Sequence, residues 1–243
     1  MKSWLKKLAK RLIREETNPL ITVSISKANL LHNLAQFQKV KPENKVVPVL
    51  KSNAYGHGLI EVASMLEGKA DFFVIDSYFE ALSLRNEGIK TPLLIIGYVR
   101  PEAINSSRLK DICFAISSLD ALQSILSPVK IHLKIDTGMR RQGLLPEELE
   151  QAFSHIKKNA HITLEGMCSH FADADSQNSA FTHDQIGQWN SIVKKAQNEF
   201  PSLKYIHLSN TPGHAFAEKI EANVSRLGIG LYGLIDINGF DLK

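Results

Sequence analysis

Lys51 is the residue with the clearest chemical potential. It closes the apolar run VVPVLK (46–51) and precedes the small, polar stretch SNAYGHG. A lysine at the inner end of a buried strand is costly unless it has a partner or a reaction. Desolvation beside positive charge favours the free amine, the form that condenses with a carbonyl to give a Schiff base. Similar residues close other apolar runs: Asp136 through Gly143, His170, Asn210 with Thr211, and Arg226 through Gly228. Glycines gather there too, at Gly56, Gly58, Gly138, Gly143 and Gly228, and glycine lets a backbone approach a ligand closely. Position alone leaves Lys51 open to the commoner role of a lysine reaching out to solvent. In ADAD, Asp173 and Asp175 follow His170 closely enough to suggest a metal site. Loop and helix-cap roles account for them better, and no metal is expected. His57 and His214 fall near the same run ends without an assigned role.

These residues have to be positioned by a regular scaffold. ITVSISK (21–27) reads as a first strand, followed by the helical ANLLHNLAQFQK (28–39). Eight further β-type runs follow: VVPVLK, FFVID (72–76), PLLIIG (92–97), CFAIS (113–117), VKIHLKID (129–136), LEGMCSH (164–170), YIHLS (205–209) and VSRLGIGLYG (224–233). Between them lie segments with apolar residues three and four apart, among them LIEVASMLEG and FTHDQIGQWNSIVKKAQNEF. Such alternation implies parallel strands joined by helical crossovers. Eight units favour an α/β fold of the closed (β/α)8 TIM-barrel type over an open doubly wound sheet. Pro48 is a blemish inside the first run, because proline removes a ladder donor. In such a barrel the active site lies at the C-terminal ends of the strands, where the residues named above converge.

The chain of 243 residues suits one barrel of ~250 residues. Its 44% hydrophobic and 22% charged residues argue against disorder, and its formal net charge is only +4. No apolar stretch reaches the ~18 residues needed to span a bilayer. Cys113 and Cys168 sit in apolar runs without zinc-ligand spacing. They read as core residues in a reducing, cytoplasmic compartment. Residues 1–18 stand apart, with Lys2, Lys6, Lys7, Lys10, Arg11 and Arg14 interleaved with Trp4, Leu5, Leu8, Leu12 and Ile13. They read as a basic amphipathic extension that packs on its own protein, with membrane contact as the weaker alternative. The barrel is expected over 19–243.

Five motifs in order, KSNAYGHG (51–58), KIDTGMRRQG (134–143), MCSHFADAD (167–175), HLSNTPG (207–213) and VSRLGIGLYG (224–233), make the chain resemble the alanine racemases over about 21–233. The resemblance implies a pyridoxal 5'-phosphate cofactor, carried on Lys51, which also acts as the base facing the α-proton of the D-enantiomer. It implies that Tyr55, Asn210, Thr211, Gly228 and Ile229 hold the phosphate. Arg226 matches the arginine that donates to the pyridine nitrogen, and His170 a histidine beside the ring linked to that arginine. Arg141 matches the arginine near the phenolic oxygen and the substrate carboxylate. Lys134 matches a lysine carbamylated in many members. Arg140 and Tyr78 depart from the smaller residues frequent at their positions, a difference that bears on the shape or the charge of the pocket and removes no expected cofactor contact.

Racemisation needs a base on each face of the α-carbon. In the resembled family the second base is a tyrosine of a C-terminal β domain in the partner of a head-to-tail homodimer. None of Tyr55, Tyr78, Tyr98, Tyr205 and Tyr232 matches it, and the C-terminal domain is read as absent. The segment 21–27, which pairs with that domain in the family, would then be an exposed edge. The expectation is an amino-acid racemase barrel for alanine, weak or inactive alone and with dimerisation weakened, taking a small-molecule substrate and no nucleic acid. The alternatives are a single-domain pyridoxal-phosphate barrel without turnover and a non-catalytic interaction protein working through residues 1–18.

Overall fold

Every apolar run read as β becomes a strand except the first. The computed structural model describes residues 20–176 and 179–234; the basic extension at 1–18 lies outside the described residues. Residues 21–26 are irregular, with Ile21 and Val23 largely exposed, which corrects the strand expected at 21–27. The backbone there has no neighbouring strand among the described residues. Its last residue is claimed by the following helix, because Ser26 caps α1 (Lys27–Val40) through the Asn29 N–H at 3.2 Å.

The strands are β1 (Lys45–Pro48), β2 (Phe73–Ile75), β3 (Leu93–Ile95), β4 (Ile112–Ile116), β5 (Val129–Lys134), β6 (Ile162–Cys168), β7 (Tyr205–His207) and β8 (Val224–Leu227). Between them come α2 (Leu59–Leu66), α3 (Tyr78–Asn86), α4 (Pro101–Ser106), α5 (Leu119–Gln123), α6 (Leu149–Lys158) and α7 (Ala180–Glu199). Ser77, Ser118 and Ser179 cap α3, α5 and α7. All pairing is parallel, in one ladder β2-β3-β4-β5-β6-β7 and a second of β1 with β8. That β1 lies beside β8 means the sheet has curled round, so the architecture is an irregular, incompletely closed (β/α)8 barrel rather than an open sheet.

Pro48 explains one of the two seams. Lys45 and Val49 donate toward β8, to Asn223 O and Leu227 O. Alternation turns the missing Pro48 N–H toward β2, where β1 makes only the bridge Val49↔Val74. The other seam, β7 to β8, is crossed by Asn223 N–H to Ile206 O and Arg226 N–H to Ser209 O.

Period-2 alternation then decides what enters the barrel. Val47 and Val49 pack in one cluster with Val74, Leu94, Cys113 and Cys168. Their strand-mates two residues on are the chemical groups: Lys51 after Val49, His170 after Cys168, and Arg226 after Val224. The opposite strand faces pack on the helices, around Phe73, Ile131, Met167, Phe153 and Trp189.

Candidate functional site

Lys51 leaves β1 into a turn of unusual hand. Ser52, Asn53, Ala54 and Tyr55 have φ of 55°, 56°, 53° and 54°, a left-handed helical turn of four non-glycine residues. Left-handed helix costs L-residues roughly 1–2 kcal/mol each, so the surroundings must hold it. Ala54 is fully buried, and its N–H donates to Leu50 O at 2.8 Å. The Asn53 side chain accepts from the Leu59 N–H at 2.8 Å. Glu80, on α3, accepts with one oxygen from the Asn53 N–H (3.2 Å) and with the other from the Asp76 N–H (2.8 Å). The turn thus brings Tyr55 round to the strand ends on the same side as Lys51.

Thr211 and the β8 loop form the next wall. Thr211 Oγ1 accepts from the N–H groups of Gly228 (3.1 Å) and Gly230 (3.2 Å), tying the β7 and β8 loops together. A Cβ on Gly228 would lie 2.6 Å from the Tyr55 hydroxyl, so glycine is what lets Tyr55 close over that loop. Asn210 Oδ1 accepts from the Gly213 N–H at 3.0 Å.

Arg226 enters from β8 and is 6% exposed. It donates to Ser169 O (2.7 Å), Leu208 O (2.9 Å) and His207 O (3.0 Å), and to the ring nitrogens His207 Nδ1 (2.5 Å) and His170 Nδ1 (3.1 Å). Burial, then the Arg226 charge, push His170 down to about 3, so it is a neutral ring. Lys134 is pushed down to about 8, chiefly by burial, with Arg226 and Arg141 adding to the effect against Cys168 and Asp136. The Asp136 carboxylate accepts from the N–H groups of Gly138, Arg140 and Arg141 (2.9–3.1 Å). That contact fastens the loop carrying Arg141 and holds Arg140 at φ 53°.

All ten residues singled out in the sequence (Lys51, Tyr55, Lys134, Arg141, His170, Asn210, Thr211, Arg226, Gly228 and Ile229) line one cavity of about 240 Å³ at the C-terminal ends of the strands. Val49, Ile96, Ser169, His207 and Pro212 line it as well and were not read from the sequence, and so do Asp175, read as a loop or cap residue, and Cys168, read as a core residue. Strand parity was the available signal for Cys168 and His207, since each belongs to an inward-facing row. Tyr78 is not in this wall. Its hydroxyl donates to Ser107 Oγ (3.1 Å) and its ring lies parallel to Phe114, so the bearing on pocket shape expected of Tyr78 is not seen. Arg140 faces an adjoining cleft instead, with Gln142, Glu147 and Phe181. Asp173 and Asp175 lie in the loop before α7, but the cap there is Ser179. His57 stacks on Tyr232 at 4.0 Å, and His214 is buried edge-on to Phe37. Among the described residues no helix is long and apolar enough to cross a membrane.

The family model for the alanine racemase N-terminal domain matches residues 25–236. The chain belongs to that family. Alanine racemases from Methanococcus maripaludis and Haemophilus influenzae are 34% and 35% identical to it, over 88% of this chain in both cases and 60% and 59% of their own lengths. Among solved structures, an alanine racemase from Clostridium difficile 630 superposes with a TM-score of 0.79 at 33% identity, covering 87% of this chain and 59% of that one. The alanine racemase from Bacillus anthracis with bound L-Ala-P gives 0.80 at 25% identity, covering 89% and 60%. The chain therefore spans about 60% of the length of these relatives. The family has a pyridoxal-phosphate-type barrel, the irregular one described above.

Proposed function

We propose that this chain binds pyridoxal 5'-phosphate in the strand-end cavity through Lys51 and serves as the barrel of an amino-acid racemase acting on alanine. The observation that carries the reading is the convergence of Lys51, Tyr55, the β7 and β8 loops and the buried Arg226 on one cavity. The donor set fits the cofactor. An amine is available for the aldehyde, and the narrow Tyr55–Gly228 corner suits the phosphate, where barrels commonly bind one. A fixed guanidinium is available for a ring nitrogen.

In this reading Tyr55, Asn210, Thr211, Gly228 and Ile229 hold the phosphate, and Arg141 orients the substrate carboxylate. When bound, the cofactor supplies an electron sink for the charge left as the α-proton departs. Arg226 can only donate, so it binds the ring nitrogen without protonating it and limits how far that charge spreads. His170, neutral and held by Arg226, would pack beside the ring. Lys51 Nζ takes the proton on one face. A carbamate on Lys134 would add a carboxylate to steady Arg141. The base for the opposite face is assigned to the part of the relatives this chain does not span, supplied by a partner subunit, so weak or no racemisation is proposed for this chain by itself. Residues 19–243 act as the cofactor-binding unit, residues 1–18 as a separate extension, and the location is cytoplasmic.

Near-visible absorption during titration with pyridoxal 5'-phosphate tests this. A yellow band fixed by borohydride and missing in Lys51→Ala is the expected result. Its absence in the unaltered chain would remove the reading. Binding with no turnover, even after the C-terminal part of a relative is supplied, would favour a non-catalytic cofactor-binding barrel instead.

A further inference from the structure

Arg226 is buried without a carboxylate partner among the described residues. Its acceptors are three carbonyls and two imidazoles, and what holds those imidazoles in the accepting state determines where it points. A guanidinium has no lone pair to offer, so the Nδ1 of His207, 2.5 Å from Arg226, must accept. A neutral His207 then carries its proton on Nε2. That nitrogen lies 2.7 Å from His132 Nδ1, so His132 Nδ1 must accept in turn and His132 carries its own proton on Nε2. The two N–H groups run head to tail, from Arg226 down through the barrel interior. Burial, then Arg226, push His132 down to about 3, and the same causes hold His207 well below its ordinary value, so neither ring gains a second proton near neutrality.

The scaffold makes room for this chain of rings. Along β5 and β6, Leu164 pairs with Ile131 but Gly166 pairs with His132, so Glu165 is an extra, bulged residue. A Cβ on Gly166 would stand 2.8 Å from His132 Nε2 and Cε1. Phe72 and Tyr205 pack on the His132 ring at 5.8 and 5.7 Å. Beyond it, Cys113 and Glu165 offer ligand atoms within 4.8 Å of His132, a donor set that suggests a metal ion. The tautomers argue against that. A metal on Nε2 would require the proton on His132 Nδ1, which would put an N–H of His207 against the N–H of Arg226.

We propose that His132 is a positioning residue for Arg226. By accepting from His207 Nε2–H it fixes the His207 tautomer whose Nδ1 receives the guanidinium, and so fixes where Arg226 presents its remaining N–H, the one on Nε. The tautomer chain stands on this chain's own atoms; only its consequence for the cofactor ring nitrogen rests on the proposed function.

The experiment uses the chain labelled with 15N in histidine, as it stands and as His132→Leu and His132→Asn. Asparagine keeps an acceptor near the position of Nδ1, whereas leucine of similar size does not. Long-range 15N–1H correlations are expected to show Nε2–H on both His132 and His207 in the unaltered chain, a changed or mixed His207 tautomer in the leucine variant, and recovery in the asparagine variant. Affinity for pyridoxal 5'-phosphate is expected to fall about tenfold with leucine and to be largely kept with asparagine, the size of one buried hydrogen bond. An Nδ1–H form of either ring in the unaltered chain overturns the proposal, as does a His207 tautomer indifferent to leucine. If the leucine variant does not fold, the tautomers of the unaltered chain decide. If no form binds the cofactor, the proposed function fails while the tautomer readout still judges His132.

Discussion

The Tyr55 hydroxyl and the Gly228 backbone share a space too small for one more carbon: a Cβ at position 228 would sit 2.6 Å from that oxygen. The pair joins the left-handed turn after β1 to the loop after β8, at the ends of two strands that are themselves paired. Gly228→Ala is therefore expected to push Tyr55 aside and weaken pyridoxal-phosphate binding by about tenfold, comparable to one buried hydrogen bond. In a Tyr55→Phe background, which lacks the colliding oxygen, the same substitution should cost clearly less. Equal costs in the two backgrounds, measured by cofactor titration, would show that the residues are not coupled.

Glu80 lies on α3 and does not line the cavity, yet its two oxygens hold the N–H groups of Asn53 and Asp76. Glu80→Gln keeps the shape but leaves one oxygen to serve two donors. A stability loss of about 1 kcal/mol is expected, with a larger fractional loss of cofactor affinity, because the strained turn carries Lys51 and Tyr55. Urea melts beside cofactor titrations measure both. A variant with unchanged affinity would show that the turn holds without the clamp.

The strand-end chemistry was legible because period-2 alternation is a local property. Once Val47 and Val49 are read as interior, Lys51 follows, and the same parity places His170 and Arg226. What was not legible depended on partners distant in sequence. ITVSISK has strand composition, but a strand needs a neighbour, and Ser26 starts a helix instead. The left-handed turn could not be read from SNAY, because three of its four residues carry no sequence mark of positive φ; it is imposed by Glu80, 27 residues beyond Asn53. His132 and His207 lie 75 residues apart, and only the curl of the sheet makes them neighbours. Tyr78 was misplaced for a related reason. It starts α3, and its side chain follows the helix toward Ser107 rather than the strand toward the cavity.

Lys134, pushed down to about 8 by burial and the neighbouring arginines, holds a substantial neutral fraction near pH 8. Carbon dioxide reacts with the neutral amine, so the intact-protein mass in bicarbonate should rise by one carbon dioxide, more at pH 8.5 than at pH 6.5, and not in Lys134→Met. The stability effect has a definite sign. The folded value lies below the unfolded one, so between about pH 8 and ~10.5 the unfolded chain binds the extra proton and stability rises with pH. Below pH 8 the burial penalty is fully present, and Lys134→Met is expected to be the more stable protein there. A less stable methionine variant at pH 7 would mean that the ammonium is compensated in the folded chain.

Three buried histidines and the partly buried His170 should dominate the response to acid. His132 and His170 are pushed down to about 3, His214 to about 4, and His207 well below its ordinary value, burial being the first cause in each case. For a group whose folded value lies below the unfolded ~6.5, the unfolded chain takes up protons that the folded chain refuses, so stability falls as pH drops from about 6.5 toward 3. Each proton contributes about 1.4 kcal/mol per pH unit. Between pH 6 and 5 the unfolded chain holds nearly one proton on each of the four, whereas the folded chain holds almost none, so a combined slope of between about three and four protons is expected. Urea melts at pH 7, 6 and 5 give that slope directly, and His132→Asn should flatten it by about one proton. A flat profile over this range would mean that the barrel interior admits a charged imidazole, and the head-to-tail tautomer chain would fall with it.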